Sequence, residues 1–101
     1  MGPVLLVGKF RLPVARLAEA RPILAAIIAA SRAEPGCKEY AYGEDVCDPG
    51  LFRVIERWES RAALDAHFAS AHMAKWRVDR AELGMTERAI TIHSGGISEE
   101  T

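Results

Sequence analysis

Residues 37–58, CKEYAYGEDVCDPGLFRVIERW, decide the fold. In the first run Tyr40 and Tyr42 fall on one face of an extended chain, and Glu39, Ala41 and Gly43 on the other. In the second, Phe52, Val54, Glu56 and Trp58 oppose Leu51, Arg53, Ile55 and Arg57. Side chains alternate with period two along a strand, so both runs read as strands, over 37–46 and 51–58. Between them Asp48-Pro49-Gly50 interrupts any regular element, because Pro removes a donor and Gly opens the left-handed region. An antiparallel hairpin is expected.

Upstream, Glu34-Pro35-Gly36 stops a segment in which Leu17, Ala20, Leu24, Ile27, Ile28 and Ser31 recur at threes and fours, the pattern of an amphipathic helix. Its start is expected between Val14 and Arg21, with Pro22 either in the first turn or at a kink. Before it, Val4 to Leu12 has apolar residues on both faces (Val4, Leu6 and Phe10 against Leu5 and Val7) and reads as a strand buried on both sides. Downstream, Ser60 is placed to cap a helix starting at Arg61, and a second helical segment over Ala71 to Leu83 is closed by Gly84. Met85 to His93 alternates again, and residues 94–101 read as a frayed tail.

The order β-α-β-β-α-β describes an α+β, ferredoxin-like domain spanning 1–101 with its core at 4–93: a four-stranded antiparallel sheet with helices on one face. The other face would carry Leu5, Val7, Leu51 and Ile55 beside Lys9, Glu39, Arg53 and Arg57. That mixture is too apolar for a solvated sheet and too charged for a dry core, so a homodimer through the sheet faces is expected.

The chain of 101 residues carries 13 Lys+Arg against 14 Asp+Glu. Without a basic excess, nothing supplies the electrostatic term that drives nucleic-acid binding. The most apolar stretch, residues 23–30, falls short of the roughly 20 residues that span a bilayer. Val4 to Val7 lacks the charged segment that precedes a secretory signal. No membrane partner and a cytoplasmic location are expected. If the segment between Cys37 and Cys47 is a strand, the two would lie about 33 Å apart at the usual rise, against the roughly 7 Å limit for a disulfide. Free thiols are expected. No CxxC or HExxH spacing occurs, so no metal site is expected either.

The residues able to carry chemistry cluster late. On a continuous helix His72 and Trp76 are neighbours four apart, as are Leu64 and Phe68, which stands His67 and His72 beside aromatic rings on a core-facing stripe. An imidazole there acts as a base only if its surroundings tune it; otherwise it satisfies backbone groups. Trp58 and Trp76 are read first as core. Glu56, mid-strand on an apolar face, is costly unless paired, and an ion pair with an arginine of the sheet or of a partner chain is expected. Arg32-Ala33-Glu34 reads as a helix end and turn, and Arg77, Asp79, Arg80 and Glu82 as a solvated helix face.

Taken together, Ser31-Arg32-Ala33-Glu34-Pro35-Gly36-Cys37, Tyr40, Asp48-Pro49, Phe52, Glu56-Arg57-Trp58-Glu59-Ser60, Ala63-Leu64, His67, Ser70, His72, Met73 and Trp76 resemble the antibiotic biosynthesis monooxygenase family over Val4 to His93. The resemblance implies a dimeric α/β barrel, no metal, no organic cofactor, and oxidation of electron-rich phenols or quinols by O₂ in an apolar pocket between sheet and helices. It assigns His67 and His72 as base or hydrogen-bond partner. It assigns Phe10, Trp58, Phe68 and Trp76 as walls that hold a small aromatic substrate. Haem-degrading proteins of the same superfamily rely on an Asn late in the first strand; Gly8-Lys9 stands there in this chain, which disfavours that chemistry. The alternative is a small-molecule-binding or stress-related dimer without oxygenase turnover, since fold alone does not fix a reaction.

Overall fold

In a computed structural model describing residues 2–100, the hairpin forms as read: β2 (Cys37–Glu44) pairs antiparallel with β3 (Leu51–Trp58). The turn begins two residues earlier than expected, because Asp45 caps it: its Oδ1 accepts from Cys47 N at 2.8 Å, and the Asp45 N–H bonds Leu51 O at 2.8 Å. Arg11 reaches across and donates two 3.0 Å bonds to Asp48, pinning the turn to β1 (Val4–Arg11). The sheet order is β2-β3-β1-β4, with β4 at Thr86–Ser94, which is the ferredoxin-like arrangement. Ser94, expected in the tail, pairs with Val4. The far ends of the expected 1–101 span, Met1 and Thr101, lie outside the described residues.

One sheet face meets α1 (Leu17–Arg32), α2 (Arg61–Phe68) and α3 (Ala71–Leu83). A single 3₁₀ turn, Val14–Arg16, feeds α1. Pro22 sits in the second turn of α1 on the solvent side, so the carbonyl it cannot serve faces water. Beneath α1 and α3 the core gathers Phe10, Leu24, Ile27, Phe52, Val54 and Trp76; a second cluster of Val4, Leu6, Tyr40, Trp58 and Leu64 lies beneath α2. Gly8 lets β4 close over β1, since a Cβ there would stand 2.2 Å from Ala89 O.

The expectation that β1 is covered on both sides does not hold for one chain. Val7 and Ile55 stay 42% and 38% exposed on the outer face. Leu51, expected with them, is buried instead. Lining the outer face are ion pairs, Arg53 to Asp45 at 3.1 Å and Arg57 to Glu39 at 3.9 Å, around a shallow hollow of about 570 Å³ bordered by Val7, Lys9, Gly43 and Ile55. Among the described residues no helix is long and apolar enough to cross a membrane, and both cysteines are free.

Candidate active site

The helical region after β3 is broken at Ala69–Ser70, and the break builds the site. Ser60 caps α2 by accepting from Ala63 N at 3.1 Å. Ser70 caps α3 by accepting from Met73 N at 3.3 Å while donating to His67 O at 2.6 Å. Residues five apart on an unbroken helix point about 140° away from one another. Restarting the helix at Ala71 instead brings the rings of His67 and His72 to 5.9 Å between centroids.

What joins them is Glu34, which was read as a turn residue. It lies in the connection between α1 and β2, where Gly36, at φ +85°, reverses the chain against Glu59 and Ala63 and accepts, through its carbonyl oxygen, the Glu59 N–H at 2.8 Å. A side chain at Gly36 would be strained in that backbone and would strike Ala63. So placed, one carboxylate oxygen of Glu34, Oε2, lies 2.6 Å from His67 Nδ1 and 2.7 Å from His72 Nε2. Both rings donate to it, which assigns the proton of neutral His67 to Nδ1.

The two histidines look into different spaces. His67 is fully buried, 4.6 Å from the Trp58 ring and 5.4 Å from that of Tyr40 between centroids. Burial pushes its pKa below the usual imidazole value, against the pull of Glu34, so the ring is neutral at neutral pH. It borders an inner hollow of about 20 Å³, the space of one small molecule such as water, with Phe10, Tyr42, Phe68 and Trp76 also in its wall. His72 is partly exposed, with a side chain 28% accessible. It stands at an apolar groove of about 220 Å³ between α1 and α3, lined also by Ile23, Ile27, Ala30 and Trp76. Trp76 separates the two spaces.

Of the four expected walls, Phe10, Phe68 and Trp76 line the inner hollow, which is too small for an aromatic ring, and of them Trp76 alone also lines the groove. Trp58 does not: it lies behind His67 with no exposed surface. Glu56 corrects another expectation. Its hydrogen-bond partner is not an arginine but the indole of Trp58, which donates to Oε1 at 3.1 Å. Burial raises the Glu56 pKa to about 7, opposed by the Trp58 bond and the charge of Arg88. Arg80, read as part of a solvated face, is half-buried and borders the same hollow with Arg88. The tyrosine hydroxyls of Tyr40 and Tyr42 bond one another at 2.6 Å, and burial drives both phenols well above their usual pKa, so neither supplies a phenolate.

A profile of antibiotic biosynthesis monooxygenases matches residues 3–78, from β1 through most of α3 and including Glu34, Glu56, His67 and His72. The chain belongs to that family. Over 91 residues it is 38% identical to "Putative monooxygenase Rv0793" of Mycobacterium tuberculosis, covering 89% of this chain and 88% of the relative. The solved structure of Rv0793 superposes with a TM-score of 0.85 at 31% identity, covering 98% of this chain and all of the other. A Deinococcus radiodurans protein described as belonging to the same family superposes with a TM-score of 0.89 at 28% identity, over 97% of each chain. The ferredoxin-like fold and membership of a monooxygenase family are thereby shown for this chain.

Proposed function

We propose that this family member is a cofactor-independent monooxygenase that oxidises an electron-rich phenolic or quinol-type aromatic with O₂, working as a homodimer joined through its outer sheet faces. The observation that supports it most is the Glu34–His72 pair at the mouth of an apolar groove. Glu34 accepts the Nε2–H of His72, which leaves Nδ1 as the basic nitrogen and provides a carboxylate to stabilise the imidazolium formed when Nδ1 takes a proton. His67 holds Glu34 from the buried side through its 2.6 Å bond and acts as a positioning residue.

The groove suits the substrate class. A cavity of about 150 Å³ accepts benzene, and the groove offers about 220 Å³ walled mainly by aliphatic side chains and the Trp76 ring, with His72, Lys75 and Asp79 at its border. Removing the hydroxyl proton turns the substrate into an electron-rich anion able to pass one electron to O₂. Recombination forms a C–O bond, and loss of water from the resulting hydroperoxide leaves a carbonyl. One oxygen atom ends in product and one in water; the substrate supplies the electrons, so no external reductant is consumed. The apolar wall limits the access of solvent that would reprotonate the anion.

The dimer reading rests on the outer face, where Val7 and Ile55 are exposed around a concave centre rimmed by paired charges. The test of the activity is oxygen uptake with hydroquinones and anthrone-like substrates, corrected for autoxidation. His72→Ala should lower the rate by roughly 10²–10⁴-fold, the usual contribution of a positioned base. Glu34→Gln should lower it less, and both variants should retain ligand-induced thermal stabilisation. Equal rates in wild type and His72→Ala would remove the base from the mechanism. Substrate binding without oxygen uptake would favour a binding protein.

A further inference from the structure

We propose that Glu34, His67 and His72 form a binding site for one divalent transition-metal ion of the zinc type, held by Glu34 Oε2, His67 Nδ1 and His72 Nε2 and open toward the groove between α1 and α3. These three atoms, from the α1–β2 connection, the end of α2 and the start of α3, all lie within 4.8 Å of one another. Two imidazoles and one carboxylate are a borderline ligand set that suits zinc, cobalt, iron or copper, whereas calcium and magnesium prefer oxygen alone. Metal bonds of about 2.0–2.2 Å in a tetrahedral site place ligand atoms roughly 3.3 Å apart. The present nitrogen–oxygen separations of 2.6 and 2.7 Å therefore need the Glu34 carboxylate to withdraw by about 0.7 Å, and the two ring nitrogens, within 4.8 Å of one another, to close by up to about 1.5 Å on those bond lengths. Rotation of the half-buried Glu34 side chain makes the first adjustment, and the partly exposed His72 ring, moving toward fixed His67, makes the second. The partial exposure of His72 leaves a side of the site accessible, as in metal centres that keep a position for a further ligand.

An independent observation points the same way. His67 Nε2 is buried with no hydrogen-bond partner among the described residues, and it faces the buried Glu56 carboxylate, with Oε1 4.0 Å away. While Glu34 claims the proton on Nδ1, Nε2 is a bare lone pair 4.0 Å from the Glu56 carboxyl, beyond hydrogen-bond reach. A metal ion on Nδ1 forces that proton to Nε2, where Glu56 can accept it once the pair closes by about 1 Å to hydrogen-bond length. The result is a carboxylate–histidine–metal arrangement of the kind that orients metal-bound imidazoles. One ligand thus accounts for both the orphaned nitrogen and the carboxylate buried beside it.

The inference goes beyond the oxygenase reading and bears on it. A metal ion on His72 Nε2 leaves the ring's proton on Nδ1, so the metal-loaded protein cannot take a proton from substrate and is an inhibited form. Binding itself requires no substrate, so its outcome is independent of whether turnover occurs.

The test is titration of the metal-free protein with Zn²⁺ alone by calorimetry, and with Co²⁺ followed by its visible absorption, in a Cys37→Ser/Cys47→Ser background that removes the thiols as competitors. The expected result is one ion per chain, with affinity reduced at least 100-fold in His72→Phe and Glu34→Gln and roughly 10–100-fold in Glu56→Gln, the usual loss for a partner behind a metal ligand. Because a variant at buried His67 can fail to fold, its role is read in the wild-type chain from the nitrogen chemical shifts of its ring. Zn²⁺ should move the ring proton from Nδ1 to Nε2. The absence of saturable binding at millimolar Zn²⁺ overturns the proposal. So does binding that folded His72→Phe and Glu34→Gln proteins retain unchanged, or a His67 ring whose proton stays on Nδ1 with the ion bound.

Discussion

Replacing Glu56 by Gln should stabilise this protein, and only at the alkaline end of its range. The carboxyl is buried on the helix-covered face of β3, and its pKa rises from 4.5 in the unfolded chain to about 7 in the fold. Between those values the folded protein keeps a proton that the unfolded chain has released, so stability falls as pH rises through the window and the loss is complete above it. At about 1.4 kcal/mol per unit, the shift corresponds to roughly 3 kcal/mol. Gln is isosteric with the protonated form, still accepts the Trp58 indole bond, and never ionises. Urea unfolding of wild type and Glu56→Gln should therefore coincide within error near pH 4 and diverge to about 3 kcal/mol in favour of the variant at pH 8, which for a domain of this size is about 12 °C or more in Tm. The titration of His67 is common to both proteins and drops out of the difference. A variant that follows the wild-type pH profile, or that is the less stable of the two at pH 8, would show that the Glu56 charge is compensated in the fold and that burial does not govern it.

Gly8→Ala should be among the most damaging small substitutions in the sheet. The added methyl would stand 2.2 Å from Ala89 O and 2.6 Å from Ile90 Cα, both backbone atoms that cannot yield without moving β4. A loss of roughly 3 kcal/mol, at the upper end of overpacking costs, should appear as a lowered urea midpoint, and a loss below about 0.5 kcal/mol, the usual effect of a surface change, would contradict the close approach. For the outer face, light scattering at tens of micromolar should report a dimer that Val7→Asp/Ile55→Asp converts to monomer. A wild-type monomer at that concentration would refute the sheet-to-sheet interface.

The fold was legible because each of its decisions is local. The two-residue period of 37–58 places Tyr40, Tyr42, Phe52, Val54 and Trp58 on the covered face, and all of them pack there. Ser60 announces a helix start by a hydroxyl's ability to serve free N–H groups, and it does so; Ser70 does the same for α3, a cap that the sequence reading did not single out. The misreadings were of covering rather than of element. An apolar pattern on both sides of β1 says that both faces avoid water, but one chain supplies cover for only one of them. Leu51, at the start of β3, is buried although its neighbours two and four residues on, Arg53 and Ile55, are exposed.

The site was legible only in part, because its central residue makes its contacts across separations of 33 and 38 positions. Glu34 stands beside Pro35-Gly36, where every local rule assigns it to the turn, and nothing in its own neighbourhood tells it from a solvated glutamate. Its partners did carry a signal. His67 lies three residues after Leu64 on the buried stripe of α2, and Glu56 takes a position on β3 that the alternation reserves for apolar side chains. A polar group at a position that the period demands be buried has to be matched by another group brought from elsewhere in the chain, since unpaired burial costs several kcal/mol. Two such groups on adjacent elements imply a shared cluster, and a cluster of an acid and an imidazole in a dry setting implies at least one more charged member to hold their protons in place. That reasoning calls for a residue such as Glu34 without naming it; the left-handed turn at Gly36, which swings the α1–β2 connection over α2, decides which carboxylate arrives.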